Sequence, residues 1–355
     1  MGPVPPPIHG VAVSMQLALE NGLLREHFAV EHIDTTDRRP LSTLQRWDLP
    51  NVILGLRNLG QLVRRLRRPR GVVYLPLSAY WGAFLRDSLF VHAAALAGWP
   101  VAVHIGNTWF REFYEDRGPI ARWWMRVTLK RIGTVAVRGE RVVAALDGLI
   151  PRERLVVVRL GTPDLDPPRV AKHPGRVLFL SNFLEGKGIV EAVEAALIVL
   201  GQARDAEVVF AGAWHDQALQ STLRARAAAG GDRVRFLPPV SGREKEELLQ
   251  SAEVLLFPAR ENEAHARVIL EGMCRALPIV TTEPANYNLG LTDGTDAFVL
   301  PAPDPQQVAE RVLALLADES LRERMGTAAR AHYEREFTQE LADQRLAGWL
   351  TAVAP

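Results

Sequence analysis

A chain of 355 residues, 48% apolar and 23% charged, has an ordinary soluble composition and is too long for a single core, so two domains are expected. Its net charge of +1 gives no general reason to expect a nucleic-acid partner. The one cysteine, Cys274, excludes an internal disulfide and any multi-cysteine metal site. MGPVPPPIHG at the N-terminus lacks a basic stretch followed by an apolar core, and no apolar run approaches the ~20 residues of a membrane span. The expectation is a cytoplasmic protein.

In chain order, short apolar runs at 28–36, 71–77, 100–106, 134–139 and 154–161 alternate with amphipathic segments at 13–25, 52–68, 84–98 and 120–132. Such alternation predicts a parallel, doubly wound sheet. GTPDLDPPRVAKHPG (161–175), rich in Pro, Gly and charge, reads as an interdomain linker. After it the pattern restarts. Strands are expected at 176–182, 206–212, 233–240, 252–259, 278–283 and 297–301. Helices are expected at 187–202, 215–229, 242–251 and 264–276, and near 305–317, 319–334 and 338–352. In open parallel sheets ligands sit beyond the carboxyl ends of strands, so the loops there hold the candidate site.

One such loop is ENEAHARVILEGM (261–273), with Glu263 and Glu271 eight positions apart. The spacing alone carries little, because Glu253 and Glu261 repeat it, and Glu253 at a strand edge is expected to be simply exposed. What distinguishes Glu263 is its place just after Phe257-Pro258, with Glu271 two turns into the next helix. Eight residues of helix span roughly 12 Å. That length suits a nucleotide sugar, with glycosyl hydroxyls at one end and ribose at the other. The N–H groups of 265–268 would face the diphosphate between them, where a helix N-terminus favours negative charge. Glu271 would accept from the ribose hydroxyls. In LFLSNFLEGKGIVEAVEAALIVL (178–200), Lys187-Gly188 follows another strand, and Lys187 would be a point charge suited to a diphosphate leaving group.

These blocks, with HIGN (104–107), FLPPVSGREKEELLQSAEVLLFPA (236–259) and YEREFTQELADQRLAGWL (333–350), resemble a retaining, group 1 glycosyltransferase of family four. The resemblance covers nearly the whole chain. It implies the GT-B fold, an α/β architecture of two Rossmann-like domains facing across a cleft. The boundaries it implies are an acceptor domain at 1–162, a nucleotide-sugar domain at 163–335, and a terminal helix at 336–355 crossing back to the first domain. It further implies that Glu263 holds donor hydroxyls and Glu271 the ribose, while His265, Ala266, Arg267 and Val268 line the diphosphate and sugar. Lys187 would neutralise the leaving group, and Val240 would lie against the base. His9-Gly10 would approach the diphosphate across the cleft, and His104 would be the cleft histidine near donor and acceptor.

One departure stands out. Where the family often carries Arg, this chain has Asn182, so the leaving group loses a cation unless Arg260 or Arg267 substitutes. The implied reaction moves a sugar from a nucleoside diphosphate donor to an acceptor hydroxyl of a saccharide or lipid-linked acceptor, with retention and no metal or other cofactor. Asp164-Leu165-Asp166 has the form of a metal-binding DxD, but its Pro-rich setting favours a turn. Two basic stretches, 56–71 and 121–133, read either as sheet-packing helices with solvated arginines or as surfaces for the anionic inner membrane face. The rival functions are a sugar-nucleotide epimerase of the same fold and a catalytically silent scaffold.

Overall fold

The computed structural model describes residues 1–6, 10–39, 48–164, 170–264 and 266–355. The chain divides into two compact units, Met1–Leu160 with Glu340–Pro355, and Gly161–Gln339.

The first unit begins with helices α1 (Gly10–Glu20), α2 (Gly22–His27) and α3 (Leu49–Arg65). β1 (Val73–Pro76), α4 (Trp81–Leu96) and β2 (Val101–Ile105) follow, then α5 (Phe110–Glu115), α6 (Pro119–Lys130), β3 (Thr134–Val137), α7 (Glu140–Ala145) and β4 (Leu155–Val157). The strands form one parallel sheet in the order β1-β2-β3-β4. β2 and β3 are buried along their whole length. Helices cover both faces of such a sheet, which is why these strands read as unbroken apolar runs. α3 starts where Asp48 accepts from Asn51 N–H and a proline occupies the first turn.

Two expectations are corrected here. Residues 28–36 do not form a strand; Asp34 makes only an isolated bridge to Gly2. Its partner segment runs straight into Pro5-Pro6, which have no N–H to extend a ladder. The helix expected over 13–25 is two helices, broken at Asn21. That side chain caps Leu24 N–H at 3.1 Å and donates to the Asp343 carbonyl at 3.0 Å.

The second unit runs β5 (Arg176–Leu180), α8 (Ile189–Gln202), β6 (Glu207–Ala211), α9 (Gln217–Ala227), β7 (Val234–Leu237) and α10 (Gly242–Ser251). It continues through β8 (Val254–Phe257), α11 (Arg267–Cys274), β9 (Ile279–Thr282), β10 (Phe298–Leu300), α12 (Pro305–Ala317) and α13 (Glu319–Glu336). Its strands form a parallel sheet in the order β10-β9-β8-β5-β6-β7. Chain order therefore reverses between β5 and β8. Phe179, Phe183, Phe210 and Phe257 pack ring on ring in the core beneath. Asp216, Asp304 and Asp318 each cap the helix that follows them.

The expected linker is bonded at both described ends to this second unit. Tyr333 donates its hydroxyl to the Thr162 carbonyl at 2.7 Å, and Asp164 pairs with Arg275 and Arg330. Lys172 donates to the Ala252 carbonyl, and Gly175 N–H to Glu253. Glu253 is therefore a structural acceptor, also paired with Arg322, and not the exposed side chain expected from its strand edge. Leu165 and Asp166 lie outside the described residues.

The last helix, α14 (Gln339–Val353), belongs to the first unit over nearly its whole length. Trp349 and Leu350 pack on Ala102, Ala136 and Val158, and the Trp349 indole donates to Thr134 at 2.9 Å. Burying side chains of this size is worth about 1.5–3 kcal/mol each.

Candidate active site

The loops after β5 and β8 flank the point where strand order reverses, the place where an open parallel sheet leaves a crevice for ligand. Lys187 closes a 3₁₀ turn (Glu185–Lys187), and Gly188 then turns left-handed at φ 76°, ψ 25° before α8 begins. A Cβ on Gly188 would lie 1.8 Å from the Pro258 carbonyl oxygen, so glycine is what lets the two loops touch. Arg260 and Glu261 both donate N–H to the Gly186 carbonyl, at 3.0 and 3.2 Å. This contact delivers Lys187 Nζ to Glu263 Oε1, 2.5 Å apart and partly buried.

The Glu263 loop is held on its other side as well. Glu263 N–H donates to Pro284 O at 2.9 Å, the Thr282 hydroxyl to Ala259 O at 2.6 Å, and the Asn288 amide to Ala264 O at 3.0 Å. Because this loop is used in tertiary bonds, α11 begins at Arg267, three residues later than expected, with Ala266 at its cap and no side-chain capping bond. Ala266 and Val268 are buried packing residues. Burial pulls the Arg267 guanidinium below its usual value, opposed by Glu271. Glu271 is held by Lys245 of α10, 2.8 Å from Oε1. The two glutamates of the pair therefore each face a lysine.

The remaining expected site residues lie on several loops of the two units. Asn182 is exposed in the loop after β5, and Val240 is half-buried in the loop after β7. Arg260, one of the two possible substitutes for the missing cation, is drawn to Glu191 at 2.9 Å. Burial pushes the Glu191 carboxyl up, and Arg260 opposes this. Gly10 begins α1 in the first unit. His9 and His265 lie outside the described residues.

His104 is not a solvent-facing group. It is 4% exposed on β2, with Nδ1 3.3 Å from the Tyr74 hydroxyl. Side chains alternate along a strand, so His104 shares its sheet face with Ala102, on which α14 packs. The strand end itself is followed by Gly106 and Asn107.

Sequence reasoning missed Lys245, Pro284, Thr282 and Asn288. Nothing in their local sequence marks them; their roles exist only because distant strands place them beside 259–271. Among the described residues no group of three His, Cys, Asp or Glu side chains could hold a metal.

Residues 165–332 match the family model described as glycosyl transferases group 1, and that stretch lies within the second unit. Over that stretch the chain is similar to group 1 glycosyl transferases. Alpha-D-kanosaminyltransferase of Streptomyces kanamyceticus is 27% identical over 255 residues, 66% of this chain and 64% of that protein. Phosphatidyl-myo-inositol mannosyltransferase of Mycobacterium leprae (strain TN) is 30% identical over 176 residues, 48% of this chain and 45% of that one. The chain thus matches less than two thirds of the length of these curated relatives. Anabaena HepE, solved in complex with UDP-glucose, has a TM-score of 0.68 at 17% identity, covering 94% of this chain and 89% of HepE. That likeness shows the fold. Two parallel-sheet α/β units in one chain, the second similar to group 1 glycosyl transferases, are the GT-B fold.

Proposed function

We propose that this chain is a glycosyltransferase that moves a sugar from a nucleoside diphosphate sugar to an acceptor hydroxyl, with retention at the anomeric carbon. The observation that carries the reading is the Lys187–Glu263 pair at the strand-order reversal of a group 1 domain. A bound donor would separate the pair. Lys187 then faces the diphosphate, and Glu263 accepts from sugar hydroxyls. Glu271, oriented by Lys245, accepts from the ribose hydroxyls, and the unclosed first turn of α11 faces the phosphates.

In the reaction the bond from the anomeric carbon to the diphosphate oxygen breaks and a bond to the acceptor oxygen forms. The acceptor proton passes to the departing phosphate, on the same face. Negative charge grows on the leaving group, so a preorganised ammonium aimed at it stabilises the transition state more than the ground state. Lys187 supplies that charge without a metal, and a chelator should leave turnover unchanged.

Thermal shift against UDP, GDP, ADP, CMP and dTDP sugars tests the donor. UDP-glucose, the ligand in the HepE complex, is the first choice. A donor at a hundred times its Kd stabilises by about 2.7 kcal/mol, a rise of roughly 5–10 °C for a unit of this size. Loss of that rise in Lys187→Ala and Glu263→Ala is expected. If no nucleotide sugar raises the midpoint, the reading fails. Exposed Asn182 and the engaged Arg260 favour one rival, a silent scaffold. Donor binding without sugar transfer or donor hydrolysis would identify it.

A further inference from the structure

One layer of the first unit has a composition unlike the rest of the chain. Residues 49–71, 81–96 and 119–131 hold eleven Lys and Arg side chains and a single acid, in a protein whose net charge is +1. The acid, Asp87, is buried and taken by Arg86 and the Ser78 N–H. α4 packs between α3 and α6. The Trp99 indole after α4 donates to Leu66 at the end of α3, and the Trp124 indole of α6 donates to Ser88 of α4.

The solvent side of this layer is apolar where a water-facing side would be polar. α3 buries Asn58 and Leu62, whereas Leu49, Ile53 and Leu56 are 70%, 57% and 60% exposed on the opposite stripe, beside Arg57 and Arg64. α6 buries Met125, Thr128 and Leu129 and exposes Ile120 (83%) and Trp123 (61%), then Arg126 and Lys130. Each of the three helices leads into the next parallel strand, so all three start at the same edge of the sheet. The apolar first halves of α3 and α6 therefore lie at one edge, and the cations of their last turns at the other. Between α4 and α6 runs an apolar groove of about 530 Å³, lined by Trp81, Leu85, Pro119, Ile120, Trp123 and Trp124.

We propose that this α3–α4–α6 face docks on an anionic lipid bilayer. The leucines, Ile53, Ile120 and Trp123 enter the headgroup–acyl boundary, the groove takes an acyl chain, and the arginines pair with lipid phosphates. Charge complementarity and the aliphatic content together choose this occupant. A nucleic acid would match the cations but leave the leucines and Ile120 in water. Not every cation is available: Glu31 pairs with Arg65 and Arg68. Exposed Glu112, Glu115 and Asp116, in and just after α5, oppose docking at that corner, with Glu115 partly offset by Arg111 at 3.1 Å.

The test is co-sedimentation of the full chain with vesicles of phosphatidylcholine alone or with one third phosphatidylglycerol, at low and high salt, without nucleotide sugar. Sugar transfer plays no part in the readout, so failure here leaves the proposed reaction standing. Binding only to the anionic vesicles, weakened by salt, is expected. Arg64→Ala and Arg67→Ala should each weaken it about fivefold. Ile53→Ser with Leu56→Ser should remove the part that survives high salt, with the unfolding midpoint unchanged because both residues are exposed. Tryptophan quenching by brominated lipid should fall in Trp123→Phe. The proposal is overturned if anionic vesicles do not bind at low salt, or if neutral vesicles bind equally. It is also overturned if the variants bind like the parent, or if the chain holds heparin or nucleic acid but not vesicles.

Discussion

Replacing Gly188 by alanine should both destabilise the second unit and uncouple Lys187 from Glu263. The residue sits at φ 76°, where an L side chain costs about 1–2 kcal/mol. The new Cβ would stand 1.8 Å from the Pro258 carbonyl oxygen, so the loop after β8 must retreat by more than an ångström to reach ordinary contact. That retreat pulls Arg260 N–H and Glu261 N–H away from the Gly186 carbonyl, at about 1 kcal/mol each. The total is about 3–4 kcal/mol, a fall in the unfolding midpoint of roughly 6–16 °C for a domain of this size. Gly242 is the internal control. It also has positive φ, 53°, but a Cβ there meets nothing within 4 Å, so Gly242→Ala should cost only the backbone strain. Midpoints come from far-UV circular dichroism, and donor affinity from titration of the same samples. Equal midpoint losses in the two variants, or full donor affinity in Gly188→Ala, would refute the argument that close loop approach builds the site.

Lys245→Met should weaken donor binding several-fold while changing folding stability by no more than about 1 kcal/mol, since the Lys245–Glu271 pair is partly exposed. A 2′-deoxyribose donor should lose that sensitivity, and titration of both donors into both proteins checks it. Hydrogen bonding from Arg330 lowers the Asp164 carboxyl from 3.8 to about 2, with Cys274 and Arg275 adding and burial opposing. A depressed folded-state value stabilises above the unfolded value and is lost on acidification. The stability advantage over Asp164→Asn should therefore hold above pH 4 and shrink towards pH 2 in thermal scans. Burial pushes the Cys274 thiol up to about 11, so it should resist a thiol reagent at pH 8 in the native protein and react fully once unfolded.

Much of the second unit was legible in the sequence. The alternation gave each strand and helix from β5 to α13 within a few residues, and helix α10 at its exact bounds; β8 and β9 are buried along their whole length, and α9, α12 and α13 start at aspartate caps. The first unit was less legible. Residues 28–36 carry strand-like residues but pair only through one bridge, Asp34 to Gly2, which Pro3 follows, and α5 and α7 are too short for a periodic signal. His104 is buried on β2 with Nδ1 3.3 Å from the Tyr74 hydroxyl, a partner on a neighbouring strand that HIGN alone does not reveal. The basic stretch 56–71 stayed open between two readings because arginine-rich amphipathy is the same whichever stripe faces water. The structure buries Leu62 and exposes Leu56.

By itself the sequence determined the α/β class, the two-unit organisation and the residue types of the site, since these follow from periodicity, punctuation and side-chain chemistry along the chain. Tertiary structure decided which charges meet. Lys187 reaches Glu263 across 76 positions because Gly188 admits the Pro258 backbone, and Lys245 of α10 reaches Glu271 of α11 across 26 positions. The same spacing at Glu253 and Glu261 yields a structural acceptor and an exposed side chain. Local spacing sets where a carboxylate sits along its own element; only the packing of separate elements sets what it faces.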